Sequence, residues 1–160
     1  VTHALVLLLA LLIGVVAGLR AFTAPAVMAW AAFLDWINLT GTWASWVGHW
    51  GTVTVLTIIA VAELISDQME QTPSRKTAVQ FLTRLATGAF AGAVLGTAWG
   101  YQWSSLGAGI IGAVIGTIGG YEARTRLVRA TGGRDFPIGV LEDAVAVVAG
   151  LAIASLVNVL

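Results

Sequence analysis

Residues 77–100 read TAVQFLTRLATGAFAGAVLGTAWG, and residues 104–121 read SSLGAGIIGAVIGTIGGY. Each run is close to the roughly 20 helical residues needed to cross the hydrocarbon core of a bilayer. The first carries a single charge, Arg84, and the second carries none. Gly88, Gly92, Gly96 and Gly100 recur along the first run, and Ala108, Gly112, Gly116 and Gly120 along the second. A spacing of four keeps them near one face of a helix. Lipid supplies no hydrophobic drive between helices, so small residues act by letting two backbones approach into van der Waals contact. Ala10, Gly14 and Gly18 repeat the pattern early in the chain, and Ala146, Gly150 and Ala154 late. Such stripes either pack helices within one subunit or furnish a subunit interface.

The remaining sequence has the same character. Of its 160 residues 58% are hydrophobic and only 10% charged, with a mean hydropathy of +0.90. A soluble domain carries about 25% charged residues. Apolar segments fall at 3–19, 22–37, 52–66, 77–100, 104–121 and 138–159. The expected fold is an all-α membrane protein with one transmembrane domain over 1–160. About six transmembrane segments form three helical hairpins at 2–37, 52–100 and 104–159. Segment 22–37 is short for a crossing, since its helix would reach only about 24 Å, and it is open to a re-entrant reading. The N-terminal segment has no basic stretch ahead of it and reads as a span rather than a secretory signal. Trp43, Trp46 and Trp50 sit at helical spacing, which predicts a short interfacial helix over 42–50.

Charge gives the orientation. Six crossings with both termini outside place Arg20, Arg75, Lys76, Arg84, Arg124, Arg126, Arg129 and Arg134 on the inner side, which is every basic residue of the chain. Basic residues accumulate in cytoplasmic loops and tryptophans at headgroup level. Trp36, Trp43, Trp46, Trp50, Trp99 and Trp103 accordingly gather at the other end, with Trp30 deeper. Each outgoing helix begins with a polar residue and a proline: Thr23-Ala-Pro25, Thr72-Pro73 and Asp135-Phe-Pro137. Such side chains cap free N–H groups, and proline is tolerated in a first helical turn.

The same data exclude several functions. Zero net charge leaves no electrostatic case for nucleic acid. With no cysteine, and with His3 and His49 far from the acids, neither a thiol nucleophile nor a zinc site nor a serine–histidine–acid triad has its parts. No nucleotide-binding glycine loop occurs. The chain is therefore expected not to be an enzyme and to need no cofactor. Ionisable residues inside spans are costly and mark pairs or polar pathways. Glu63, Asp67 and Glu70 share one face of the third helix, and Arg84 is the natural compensating charge. Glu142 and Asp143 lie near the start of the last helix, where its dipole favours them. Glu122 precedes Arg126 by four residues, an ion-pair spacing, and Arg20 ends the first helix. Together Glu63, Asp67, Arg84, Glu122, Glu142, Asp143 and Arg20 make a candidate ion or solute site. If a metal binds, Glu63 and Asp67 are its ligands, since carboxylates suit hard cations.

Three stretches carry a family resemblance: Gly18-Leu-Arg-Ala-Phe-Thr-Ala-Pro-Ala-Val27, Ala62-Glu-Leu-Ile-Ser-Asp67 with Thr72-Pro-Ser-Arg75, and Leu141-Glu-Asp-Ala144. In combination they resemble bacterial membrane proteins grouped as domain of unknown function family 4126. The resemblance implies a bacterial inner (cytoplasmic) membrane location and transfers no activity. The function expected is a small ion or solute transporter or channel with a cytoplasm-facing charged site, working as a homo-oligomer in the lipid bilayer. The alternative is a non-transporting accessory or scaffold subunit of a membrane complex, its charged cluster a structural ion-pair network.

Overall fold

A computed structural model describes residues 2–69, 78–133 and 135–160, apart from the side chains of residues 66–69, 135 and 136. The helices are α1 (His3–Leu19), α2 (Thr23–Phe33), α3 (Trp50–Met69), α4 (Ala78–Thr97), α5 (Gln102–Ala130) and α6 (Asp135–Asn158), with a 3₁₀ turn at Ser45–Gly48. No strand occurs among the described residues. Ala78–Thr97, Gln102–Ala130 and Pro137–Asn158 are long and apolar enough to cross a membrane, while His3–Leu19, Thr23–Phe33 and Trp50–Ile65 are shorter apolar helices. The protein is all-α and of membrane type.

Glycine contact organises the centre. A Cβ added to Gly109 would overlap the Gly88 carbonyl oxygen, and one on Gly92 would overlap that of Ser105. On the other side of α5, Gly112 presses on the Leu11 carbonyl and Gly116 on that of Val15. Helix α5 is thus clamped between α4 and α1 at backbone distance, antiparallel to α4 and parallel to α1. The α6 stripe also faces inward. A Cβ on Gly150 would stand 2.9 Å from Val27 Cγ2, and Ala146 and Ala154 are buried. Of the two roles open to these stripes, packing within the chain is the one they fill.

Packing does not follow chain order. Helices α3 and α4 make no close backbone contact among the described residues, although they are consecutive. Helix α3 lies on α2, and α6 lies across α1 and α2 with a thinner contact to α5. The reason is compositional. Past Gly51, α3 is crowded with β-branched residues and offers no small-residue stripe. Its Val55, Ile58, Val61 and Ile65 point outward instead, as do Ile111, Ile115 and Ile118 of α5 and Val148 and Leu151 of α6. These are lipid-facing surfaces.

Two local expectations are corrected. The 42–50 stretch forms only the single 3₁₀ turn, because Gly48 is pressed on α2 (3.0 Å from an added Cβ to Ala32 Cβ) and α3 already begins at Trp50. Thr23 does not cap α2. The cap position is Phe22, which has helical φ and ψ and no side-chain cap bond, and the Thr23 hydroxyl is buried without a hydrogen-bond partner. A distant carboxylate takes over: Phe22 N–H donates to Glu63 Oε1 at 3.4 Å. Thr72 and the Asp135 side chain lie outside the described residues. Helix α2 has 11 residues and so reaches only about 16 Å. It stops at a Schellman closure in which Trp36 N–H donates to Ala31 O at 2.8 Å and Asp35 N–H to Ala32 O at 3.2 Å. Asp35, with φ of 60°, occupies the left-handed position usually given to glycine.

Candidate functional site

The polar centre is built around the turn between α1 and α2. Helix α1 ends at Leu19, and Arg20 leaves it in an extended conformation, so the last carbonyls of α1 lack helical partners. Arg84 Nη1 donates to Gly18 O at 2.7 Å, and Thr117 Oγ1 donates to the same oxygen at 3.5 Å. Arg20 Nη1 donates to Leu19 O at 3.0 Å. Two guanidinium groups thus face the negative end of the α1 dipole, where cations are stabilised.

Arg20 is the hub. Its side chain is 1% exposed, among the largest fully buried side chains of the protein. Its Nε donates to Asp143 Oδ1, and its Nη1 stands 3.4 Å from Glu142 Oε1. The second oxygen of Glu142 lies 3.4 Å from Arg124 Nη1. Glu142 is 9% exposed and Asp143 15%. Charge alternates along this chain of contacts, as burial requires, because an uncompensated ion in low dielectric is expensive. Glu63 joins from α3 through Phe22 N–H, at the start of α2. Beside Glu142 and Arg124 a crevice of about 140 Å³ opens between α5 and α6, lined also by Leu19, Leu127, Ile138 and Leu141.

The structure therefore brings together Arg20, Glu63, Arg84, Glu142 and Asp143. Glu122 is not part of the group. It is 53% exposed and lies 4.0 Å from Arg126, itself 80% exposed, on the projecting end of α5. Its i, i+4 partner draws it along α5 rather than across the bundle. The Asp67 side chain and all of Glu70 lie outside the described residues. Arg124 is the member that sequence reasoning missed. A register count around the α5–α6 turn could have found it, since Arg124 precedes Thr131 by as many residues as Glu142 follows Asp135. Among the described residues no three His, Asp or Glu side chains are grouped to hold a metal ion.

The centre is recessed. At 1.5 Å per residue, Arg84 lies roughly 9 Å inside the start of α4, and Glu63 roughly 9 Å inside the end of α3. Asp143 lies roughly 12 Å inside the start of α6, and Thr117 roughly 20 Å inside the end of α5. The α1–α2 turn is thus a charged floor below the ends of four longer helices.

Fold and site together define a glycine-packed polytopic membrane protein with a buried, recessed charge network. Residues 85–124, a quarter of the chain, match the family model described as a glycine zipper 2TM domain. The match covers most of α4, the turn after it and α5 as far as Arg124. Compared with curated proteins and with solved structures, the chain finds no significant match.

Proposed function

We propose that the protein is a subunit of a small transporter or channel whose working site is the charged floor formed by Arg20, Glu63, Arg84, Glu142 and Asp143. The observation that carries this reading is the recess. A network serving only to fix helix register has no need to sit beneath helix ends, whereas a site that must admit an ion or small solute does. The orphan Thr23 hydroxyl, next to the residue that binds Glu63, is a further group that a polar occupant or water would satisfy. The short α1–α2 hairpin also leaves polar backbone at membrane depth, which is tolerated where it lines a polar cavity. Glu63 carries the cation- or proton-binding role, as the α3 carboxylate that accepts from the Phe22 N–H at the turn into α2. Metal binding, if it occurs, uses Glu63 with Asp67.

The positive-inside rule makes the basic end cytoplasmic, with both termini outside, and the family 4126 resemblance supports a bacterial inner membrane. Because the centre of the subunit is closed by backbone contact, a pathway runs between copies, in a homo-oligomer. No catalytic role is assigned. The test is flux into liposomes carrying the full chain, read with entrapped proton- and potassium-sensitive dyes. Flux above that of empty liposomes, lowered about tenfold or more by Glu63→Gln and by Arg84→Ala, supports the assignment. Flux untouched by both substitutions would sink it. One observation favours the accessory-subunit reading instead, namely the bridging of Glu142 and Asp143 by arginine; absence of any flux together with a stoichiometric partner on purification selects it.

A further inference from the structure

At the opposite, aromatic end lies a cavity of about 690 Å³ between the end of α2, the 38–48 loop and the start of α3. Asp35, Asn38, Ser45, Trp46, His49 and Thr52 line it. Its volume is that of a typical small-molecule site. Asp35 is the one Asp or Glu between Arg20 and Glu63, and no Lys or Arg lies between Arg20 and Arg75. The basic residues among those described all stand at the other end. Asp35 is exposed and lines the cavity, with no hydrogen bond or ion pair among the described residues, on a backbone held at φ 60°.

The neighbouring groups narrow the ligand. Trp46 lines the cavity and is 50% exposed, although its ring also packs on Phe90 with centroids 5.9 Å apart. His49 Nδ1 accepts from Gly51 N–H at 3.1 Å, which puts the imidazole proton on Nε2 as a donor. Asn38 Oδ1 accepts from Thr40 N–H at 3.0 Å, which leaves its amide N–H groups as donors. The wall therefore holds one carboxylate, one exposed indole and several neutral donors, His49, Asn38 and the Thr40 and Ser45 hydroxyls among them. A metal ion would find a single charged ligand there. An organic ammonium finds a counter-ion and a cation–π surface, and a hydroxyl oxygen on the same molecule accepts from His49 or Asn38.

We propose that this cavity binds a small hydroxylated ammonium ion, with Asp35 as its counter-ion and Trp46 beneath the ammonium. The site is independent of the charged floor at the basic end and stands whether or not that floor carries flux. Choline and ethanolamine occur as free solutes and, with the hydroxyl oxygen esterified to phosphate and still an acceptor, as lipid headgroups, and the test separates the two sources.

The full chain in an uncharged maltoside micelle is titrated with choline chloride, against sodium chloride at equal ionic strength, by calorimetry and saturation-transfer NMR. Saturable binding specific to choline is expected. Asp35→Asn keeps the shape and tolerates the left-handed backbone, and it weakens binding about tenfold through loss of the charge. Trp46→Phe weakens it about two- to fivefold. Displacement by monomeric short-chain phosphatidylcholine assigns the site to a headgroup, and choline binding that resists it assigns a free solute. No choline-specific saturation, or an Asp35→Asn isotherm equal to that of the parent, overturns the proposal.

Discussion

Arg20 bridges two adjacent carboxylates of α6 from the end of α1, which makes it the costliest single charge to remove. Truncation removes the Arg20 contact from both Asp143 and Glu142 in a region of low dielectric. Breaking a buried pair from one side costs about 3–5 kcal/mol, so Arg20→Gln should lower the thermal unfolding midpoint in detergent steeply. Arg126→Gln removes half of an exposed pair at 4.0 Å and should cost about 0–1 kcal/mol. Equal effects would mean that the buried network contributes nothing beyond a surface contact. Asp35→Gly makes a second residue-scale case. Its φ of 60° suits glycine, so the substitution should leave stability unchanged or raise it by about 0.5–1 kcal/mol while removing the carboxylate from the aromatic-end cavity. At this scale the sequence is half legible. Arg20, Glu142 and Asp143 are marked by their being charged in apolar surroundings. Their pairing is a tertiary fact, and Glu122 shows the hazard, because its helical spacing to Arg126 and its place near the polar end pointed to two different neighbourhoods.

Each helix is packed according to what its stripe permits. Helix α5 carries two glycine faces and is held on both, whereas β-branched α3 touches, among the α-helices and the described residues, only α2 and α6. The clearest test compares glycines within α5. An alanine methyl at Gly112 meets the Leu11 carbonyl oxygen, while at Gly107 it meets nothing within 4 Å. Gly112→Ala should therefore separate α1 from α5 and destabilise by about 1–3 kcal/mol. Gly107→Ala should be neutral or stabilising by about 0.5–1 kcal/mol, from helix propensity alone. Parallel melting curves of the two variants, each followed by circular dichroism, read the difference directly; a shared response would show that the stripe is not a contact surface. The small-residue periodicity makes the tight faces legible in the sequence. The partner of each face is not, because periodicity says that a helix can be approached closely and not by which neighbour. Chain order favoured α3 beside α4, whereas among the described residues the β-branched α3 lies on α2 and α6.

The whole molecule has two unlike ends, and that asymmetry is where sequence and structure agree most fully. Among the described residues Arg20, Arg84, Arg124, Arg126 and Arg129 stand at the end where α1 turns into α2 and α5 projects. His3 stacks on Tyr101 with ring centroids 4.2 Å apart at the other, where Trp43 Nε1 also donates to Thr97 Oγ1 at 3.0 Å. Polarity of this kind rests on these five arginines taken together and not on any single contact. What composition could not convey is depth: helix lengths set the α1–α2 turn below the ends of its neighbours, and those lengths depend on where α2 stops, at a left-handed aspartate. The orientation of the two ends is open to direct test because the chain has no cysteine of its own. Single cysteines at Ser45 and Thr131 occupy the aromatic and basic ends, and both native side chains are exposed. A membrane-impermeant thiol reagent applied to intact cells should label Ser45→Cys and spare Thr131→Cys until the membrane is opened. The reverse pattern would invert the protein in the bilayer. Labelling of both from outside would mean that α5 does not complete a crossing, against its length of 29 residues, which corresponds to about 43 Å. That last outcome would also remove the charged floor from the cytoplasm, so the same pair of cysteines tests the orientation on which the transport reading depends.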